Sequence, residues 1–439
     1  MSRAPATTAP AFTPTAVADP LSRSHRYLNL GGSWAAWLFD ALDATIFGFV
    51  LLSLAKSFHV GLSDVVSIVA LFLLATGIGG FFLGNLADKI GRKRAMLLSV
   101  FAYATGTLLC AFAHSLWEIG LYRFCIGLAI GGLWSAAAAL ISEVWPASSR
   151  ARAFAVMQTG WSGGGLLAAI FAWTVLDASD PESWRRLFLF AALPGYATFL
   201  FILFFVRESP VWLASRARAQ TAKTASPLTE MFQIRYLRTT LLGLSISILG
   251  MYGYWIITTF MPTYLQNILH VRIDEAPVFI VWIGIGASAG YLAYGFIAER
   301  IGHRRTFAIF FTGMAAMVPT FAYAVTKMPL TNGRLVFTAG NVASLGALAA
   351  LLGFFTGYFS GFGAWYSELF PTRIRSTASG FCFNFGRVGA IAGIKLVPLL
   401  IPLIGFTATI SLASVAYVVA AVMVFFLQEA RAPELTTST

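Results

Sequence analysis

Two stretches decide the architecture: GNLADKIGRKR at 84–94 and GFIAERIGHRR at 295–305. Each is a short basic loop that closes an apolar run long enough to cross a bilayer. A second pair, SEVWPASSRARA at 142–153 and SELFPTRIRSTA at 367–378, repeats the correspondence two runs later. The offsets are 211 and 225 residues, and a longer gap around KMPLTNGR (327–334) absorbs the difference. The chain is therefore written twice, in parallel orientation.

Outward from these repeats, 58% of the 439 residues are hydrophobic and 11% are charged, against roughly 25% charged in a soluble domain. Twelve spans are expected, at 31–55, 65–87, 94–113, 117–140, 152–176, 186–206, 239–264, 277–298, 305–326, 343–366, 375–400 and 404–427. The fold class is an all-α membrane protein of two six-helix halves, 31–206 and 239–428. A charged linker at 207–238 joins them, with tails at 1–30 and 429–439. Internal repeats of this kind place a transport site between the halves, near the midplane.

The net charge of +12 has a topological reading. Of 30 Lys and Arg, 21 fall in the tails and the even-numbered gaps, which puts both termini in the cytoplasm of a multi-pass protein of a bacterial inner membrane. Nucleic acid is not an expected partner. The first 20 residues read as a disordered tail without the apolar core of a cleavable signal peptide. Cys110, Cys125 and Cys382 all fall in spans and read as small buried hydrophobes. The five His lie in tails and loops with no metal or nucleophile spacing, so no enzyme, metal or cofactor is expected. A monomer suffices.

The loop GNLADKIGRKR, its degraded copy, LYRFCIGLAIGG (121–132) and RESPVWL (207–213) together resemble the major facilitator superfamily across all twelve spans. Gly84 and Gly91 allow close helix approach and a tight turn. Asp88 can accept from Arg92 and face a helix N-terminus of the other half, where negative charge is favoured. Glu143, Arg150, Glu299, Arg304, Glu368 and Arg375 complete the candidate network at this end. It reads either as loop topology or as a latch holding one conformation.

Few ionisable residues remain inside the spans: Asp40, Asp43, Arg123, Arg387 and Lys395. Each costs on the order of 3 kcal/mol on insertion scales, so each needs a partner or a polar cavity. Asp40 and Asp43 share a face of span 1 with Trp37. Carboxylates that close resist simultaneous ionisation, which suits a proton carrier. The expectation is that Asp43 titrates and Asp40 assists, with one of them open to pairing with Arg123, which is otherwise a candidate for binding substrate. Arg387, with Asn384 three residues before it, is expected to bind a carboxylate; anchoring to helix carbonyls is the alternative. Trp37, Tyr252, Tyr254, Trp255, Trp282 and Gln158 are candidate cavity residues, and Pro262 a candidate hinge.

D-x-x-D in span 1, Y-W-x-x-T-x-x-P-x-Y in span 7 and N-x-G-R in span 11 resemble the organic-acid:proton symporters, in their sialate/lactate and aromatic-acid branches. The resemblance implies inward cotransport of a small carboxylate with protons, the proton gradient being the driving force. A drug or cation exporter, a neutral-solute carrier and a non-transporting sensor are the competing readings. Arg387 argues against the first, the scarcity of amide side chains against the second, and the lack of a large cytoplasmic domain against the third.

Overall fold

Ser22 opens the first helix by accepting the His25 backbone N–H, and the helix then runs unbroken from Arg23 to Ser57. The computed structural model describes residues 21–177, 179–219, 227–270, 277–331, 334–335 and 338–428. The expected tails 1–20 and 429–439 and the middle of the linker lie outside them. Residues 23–30, expected to belong to a disordered tail, are instead the first two turns of span 1.

Twelve spans follow in sequence. Those of the first half are Arg23–Ser57, Leu62–Ile90, Arg92–Ala111, Leu116–Val144, Ala147–Val175 and Ser183–Phe205. In the second half, Ile234–Leu269, Pro277–Ile301 and His303–Thr326 form spans 7 to 9. Span 10 is Ala339–Phe355 and Phe359–Leu369 joined by a 3₁₀ turn, and span 12 is Phe406–Ser411 followed by Ala413–Met423. Span 11 is broken, Arg375–Asn384 and then Arg387–Ile404. A two-residue ribbon pairing Leu330–Thr331 with Arg334–Leu335 is the only β-structure among the described residues. All twelve spans are long and apolar enough to cross a membrane, and the chain is a multi-pass integral membrane protein.

The linker is more structured than its charge suggests. Pro210–Ala219 and Pro227–Glu230 are helical, and span 7 begins at Ile234, five residues before the expected start. Trp212 donates from its indole to the Asp88 carbonyl at 2.8 Å, which seats the first linker helix against the signature loop. Span 7 continues as helix through Pro262 to Leu269, without a break at the expected hinge.

Small residues set how closely the halves meet. A Cβ at Gly84 would lie 2.9 Å from the Ser376 carbonyl oxygen, so span 2 presses directly on the start of span 11. Gly91 has φ of +108°, where L side chains are strained, and makes the sharp corner between spans 2 and 3.

Candidate functional site

The two ends of the bundle differ. At the end carrying the signature loops, the halves are tied by a buried network. Asp88 pairs with Arg92 at 2.8 Å and accepts the Thr377 backbone N–H at 2.8 Å and hydroxyl at 2.6 Å. The carboxylate thus sits on the N-terminus of the first segment of span 11, where exposed N–H groups favour an anion. Glu143 receives Arg92 and Arg375, each at 2.9 Å. Arg150–Glu368 at 2.8 Å and Arg152–Glu299 at 2.5 Å add two more bridges between halves. Arg304 belongs elsewhere: it donates to the Leu427 carbonyl and ties span 9 to the end of span 12 within its own half.

Glu208, in the RESPVWL segment, is a member of this end that was not among the expected network residues. It accepts the backbone N–H groups of Arg92 and Lys93 at 2.9 and 3.1 Å. Gly91, the residue at the helix N-cap, has no side chain to do so. Burial pushes the Glu208 carboxyl above the ordinary glutamate range.

Deeper in, between the halves, lies a narrow cavity of about 20 Å³, room for a water molecule. Trp37, Gln158 and Trp161 line it from the first half. Met251, Tyr254, Trp255, Tyr291, Phe359, Phe383 and Arg387 line it from the second. Trp37 and Trp161 pack at 5.0 Å between ring centroids, and Phe383 stacks on Trp134 at 3.9 Å. The Trp161 indole donates to the Tyr254 hydroxyl at 3.4 Å, joining span 5 to span 7 across the interface.

Arg387 brings the cavity its positive charge. It is the first residue after the break in span 11 and donates one N–H to Asn384 Oδ1. Asn384 does not line the cavity. Its amide donates to the Gly131 and Gly380 carbonyls, so it positions Arg387 and bolts span 11 to span 4. The Arg387 guanidinium also lies 5.5 Å from the Phe383 ring.

The two aspartates have different surroundings. Asp43 is paired with Arg123 at 2.8 Å and accepts the Thr107 hydroxyl at 2.5 Å. Arg123 lies over the rings of Phe47 and Phe72 inside the first half and does not reach the cavity. Asp40 is fully buried, and neither of its oxygens has a hydrogen-bond partner among the described residues. The charge acting most strongly on it is Arg387, from the opposite half, ahead of Asp43 and Arg123. The pairing with Arg123 that was open to either carboxylate falls to Asp43, and the Asp40 oxygens have no hydrogen-bond partner among the described residues.

Other expectations also move. Tyr252 packs on Gly393, and Trp282, 38% exposed, packs on Gly346; neither lines the cavity. Cys125 is exposed, unlike Cys110 and Cys382. The side chain of Pro262 lies outside the described residues. Trp161, Tyr291, Phe359 and Phe383 were not expected; Trp161 stands three residues after Gln158 and Phe383 four before Arg387, which is the spacing that could have found them.

Among known proteins, a cis,cis-muconate transport protein of Acinetobacter baylyi is 28% identical over 366 residues, 82% of this chain and 83% of its own. A "Probable 4-methylmuconolactone transporter" of Cupriavidus pinatubonensis is 29% identical over 401 residues, covering 89% and 88%. The solved structure of the proton:xylose symporter XylE superposes with a TM-score of 0.76 over 93% of this chain and 97% of that one. At 18% identity, XylE shares the fold alone. The profile of the Major Facilitator Superfamily matches residues 34–331 and 245–439. Twelve spans, two repeated halves and that match agree: the chain is a membrane transporter, not an enzyme, and belongs to the Major Facilitator Superfamily.

Proposed function

We propose that this protein is a proton-coupled symporter carrying a small organic anion, a mono- or aromatic carboxylate, inward across a bacterial plasma membrane by alternating access. The observation that carries the reading is a buried Arg387 lining the cavity from one half and, in the other half, a buried Asp40 carboxyl without a hydrogen-bond partner among the described residues. A guanidinium among aromatic rings suits a planar carboxylate, which it can hold through two parallel hydrogen bonds. The muconate and muconolactone relatives support an unsaturated or aromatic acid.

Coupling follows from competition for Arg387. With a proton on Asp40, the guanidinium is free to take the substrate carboxylate, and with a monocarboxylate the loaded cavity carries no net charge. That lowers the cost of closing the site in low dielectric. Once the other side opens and the proton leaves, ionised Asp40 attracts Arg387 and weakens its hold on the anion. The basic loops put the network of Asp88, Glu143 and Arg375 on the cytoplasmic face, so the described conformation is closed toward the cytoplasm. The protein acts as a monomer, with no cofactor.

The test is proton flux in proteoliposomes, read with an external pH electrode as solutes are added. The panel holds cis,cis-muconate, benzoate, 4-hydroxybenzoate, nicotinate, lactate, glucose and a lipophilic cation. Protein-dependent alkalinisation with one or more acids is expected, beyond that of empty liposomes. Silence with every acid, together with flux driven by the lipophilic cation, would replace symport by export.

A further inference from the structure

Spans 1 and 3 both run away from the latched end, and their polar residues are in register. Span 1 carries Asp40 and Asp43, three residues apart; span 3 carries Tyr103 and Thr107, four apart, on one face. One rung is formed, Thr107 to Asp43. The other has both of its members in place and neither satisfied. The Tyr103 hydroxyl is buried without a partner, as are both Asp40 oxygens. Asp40 is the charge that bears most on the Tyr103 hydroxyl, with Asp43 second. The ring has a fixed seat: its residue is 2% exposed, and a Cβ at Gly195 of span 6 would lie 3.2 Å from it.

We propose that Tyr103 is the hydroxyl partner of Asp40 in the proton cycle, donating to its ionised carboxylate as Thr107 donates to that of Asp43. Tyr103 is a positioning residue. It does not line the cavity and acts on the substrate only through Asp40. The groups facing Asp40 are then Asp43 on its own helix, Tyr103 of span 3, Arg123 of span 4 and Arg387 of span 11. Of these, Tyr103 alone stabilises the ionised form from inside the first half without bringing a charge. Buried hydroxyls left without partners are costly, and a partner needed only in one protonation state gives this one a reason to be there.

The inference rests on the reading of Asp40 as the proton carrier, and the experiment separates the two. In pH-difference infrared spectra of the purified full-length protein, Asp40→Asn identifies the Asp40 carboxyl band by removing it. In the wild-type protein the band of the ionised form is expected at the frequency of a hydrogen-bonded carboxylate, and Tyr103→Phe is expected to move it to the unbonded-carboxylate position. In proteoliposomes, Tyr103→Phe is expected to move the pH of half-maximal cis,cis-muconate uptake upward by about one unit, with the KM for the acid little changed. An unbonded-carboxylate band in the wild type overturns the pairing without any Tyr103 variant. So does a band and pH profile that Tyr103→Phe leaves in place. Asp40→Asn protein that still accumulates the acid with its proton overturns the carrier role itself.

Discussion

Glu143 and Arg375 stand 232 residues apart in the chain and meet at 2.9 Å in the interior of the protein. Glu143 also holds Arg92, so one carboxylate bridges two buried guanidiniums drawn from opposite halves, with Asp88 on Arg92 completing the charge balance. Breaking such a pair leaves an uncompensated buried charge, at a cost of roughly 3–5 kcal/mol. Glu143→Gln is expected to move the conformational equilibrium toward opening at this end by about a hundredfold or more. Thiol labelling of a Thr372→Cys reporter, in protein whose own cysteines are replaced, measures it. Unchanged labelling would show that the network does not latch.

Stability separates the two aspartates. Asp43→Asn strands Arg123 between two phenylalanine rings and is expected to cost about 3–5 kcal/mol. Asp40→Asn removes a carboxylate that has no partner and is expected to leave stability unchanged or raised. Thermal unfolding in detergent gives the comparison directly. In transport, Asp40→Asn is expected to abolish proton-driven accumulation while sparing exchange of labelled for unlabelled acid. Uncoupling by Asp43→Asn alone would instead make the Asp43–Arg123 pair the switch.

Substrate affinity is expected to depend on the shape of the cation as well as its charge. Arg387→Lys keeps the charge but loses the planar pair of donors, and tenfold weaker binding is expected. Arg387→Ala is expected to cost about 2 kcal/mol or more, near thirtyfold. Competition binding with the acid identified by the flux assay decides both, and equal affinity for all three proteins would remove Arg387 from the site.

Glu208 gives a pH dependence of defined sign. Burial raises its carboxyl above the ordinary value of 4.5, so the folded chain keeps this proton at pH values where the unfolded chain has lost it. Its contribution is full below 4.5 and is lost as pH rises through the raised value. The wild-type Tm is therefore expected to fall relative to that of Glu208→Gln as pH rises through the mildly acidic range. Parallel Tm profiles would contradict this.

The fold was legible because hydrophobic length and a doubled loop are one-dimensional signals. Asp88, Glu143 and Arg375 could be picked out because the loops containing them occur twice, in contexts that match. Arg387 and Asp40 stood out because charge inside a span is scarce. The partner of Asp43 was less accessible: three residues along one helix fixes a common face, but which carboxylate meets Arg123 depends on the rotation of span 1 against span 4. Trp161 and Phe383 were hidden for another reason, since an aromatic in an apolar span looks alike whether it faces lipid, core or cavity. Glu208 caps a helix more than a hundred residues away, which no local pattern announces.

The break in span 11 has a mechanical consequence. Its first segment is clamped to the first half through Thr377 and Asn384. Its second lies so close to span 7 that a Cβ at Gly389 would fall 2.1 Å from the Ile248 carbonyl. Arg387 stands at the knuckle between a segment clamped to the first half and one packed on the second. The second segment is 18 residues long, about 27 Å, so a swing of roughly 10° would carry its far tip about 5 Å while the guanidinium at the pivot scarcely shifts. A substrate held at Arg387, as proposed, would then scarcely move while the far tip of the helix travels.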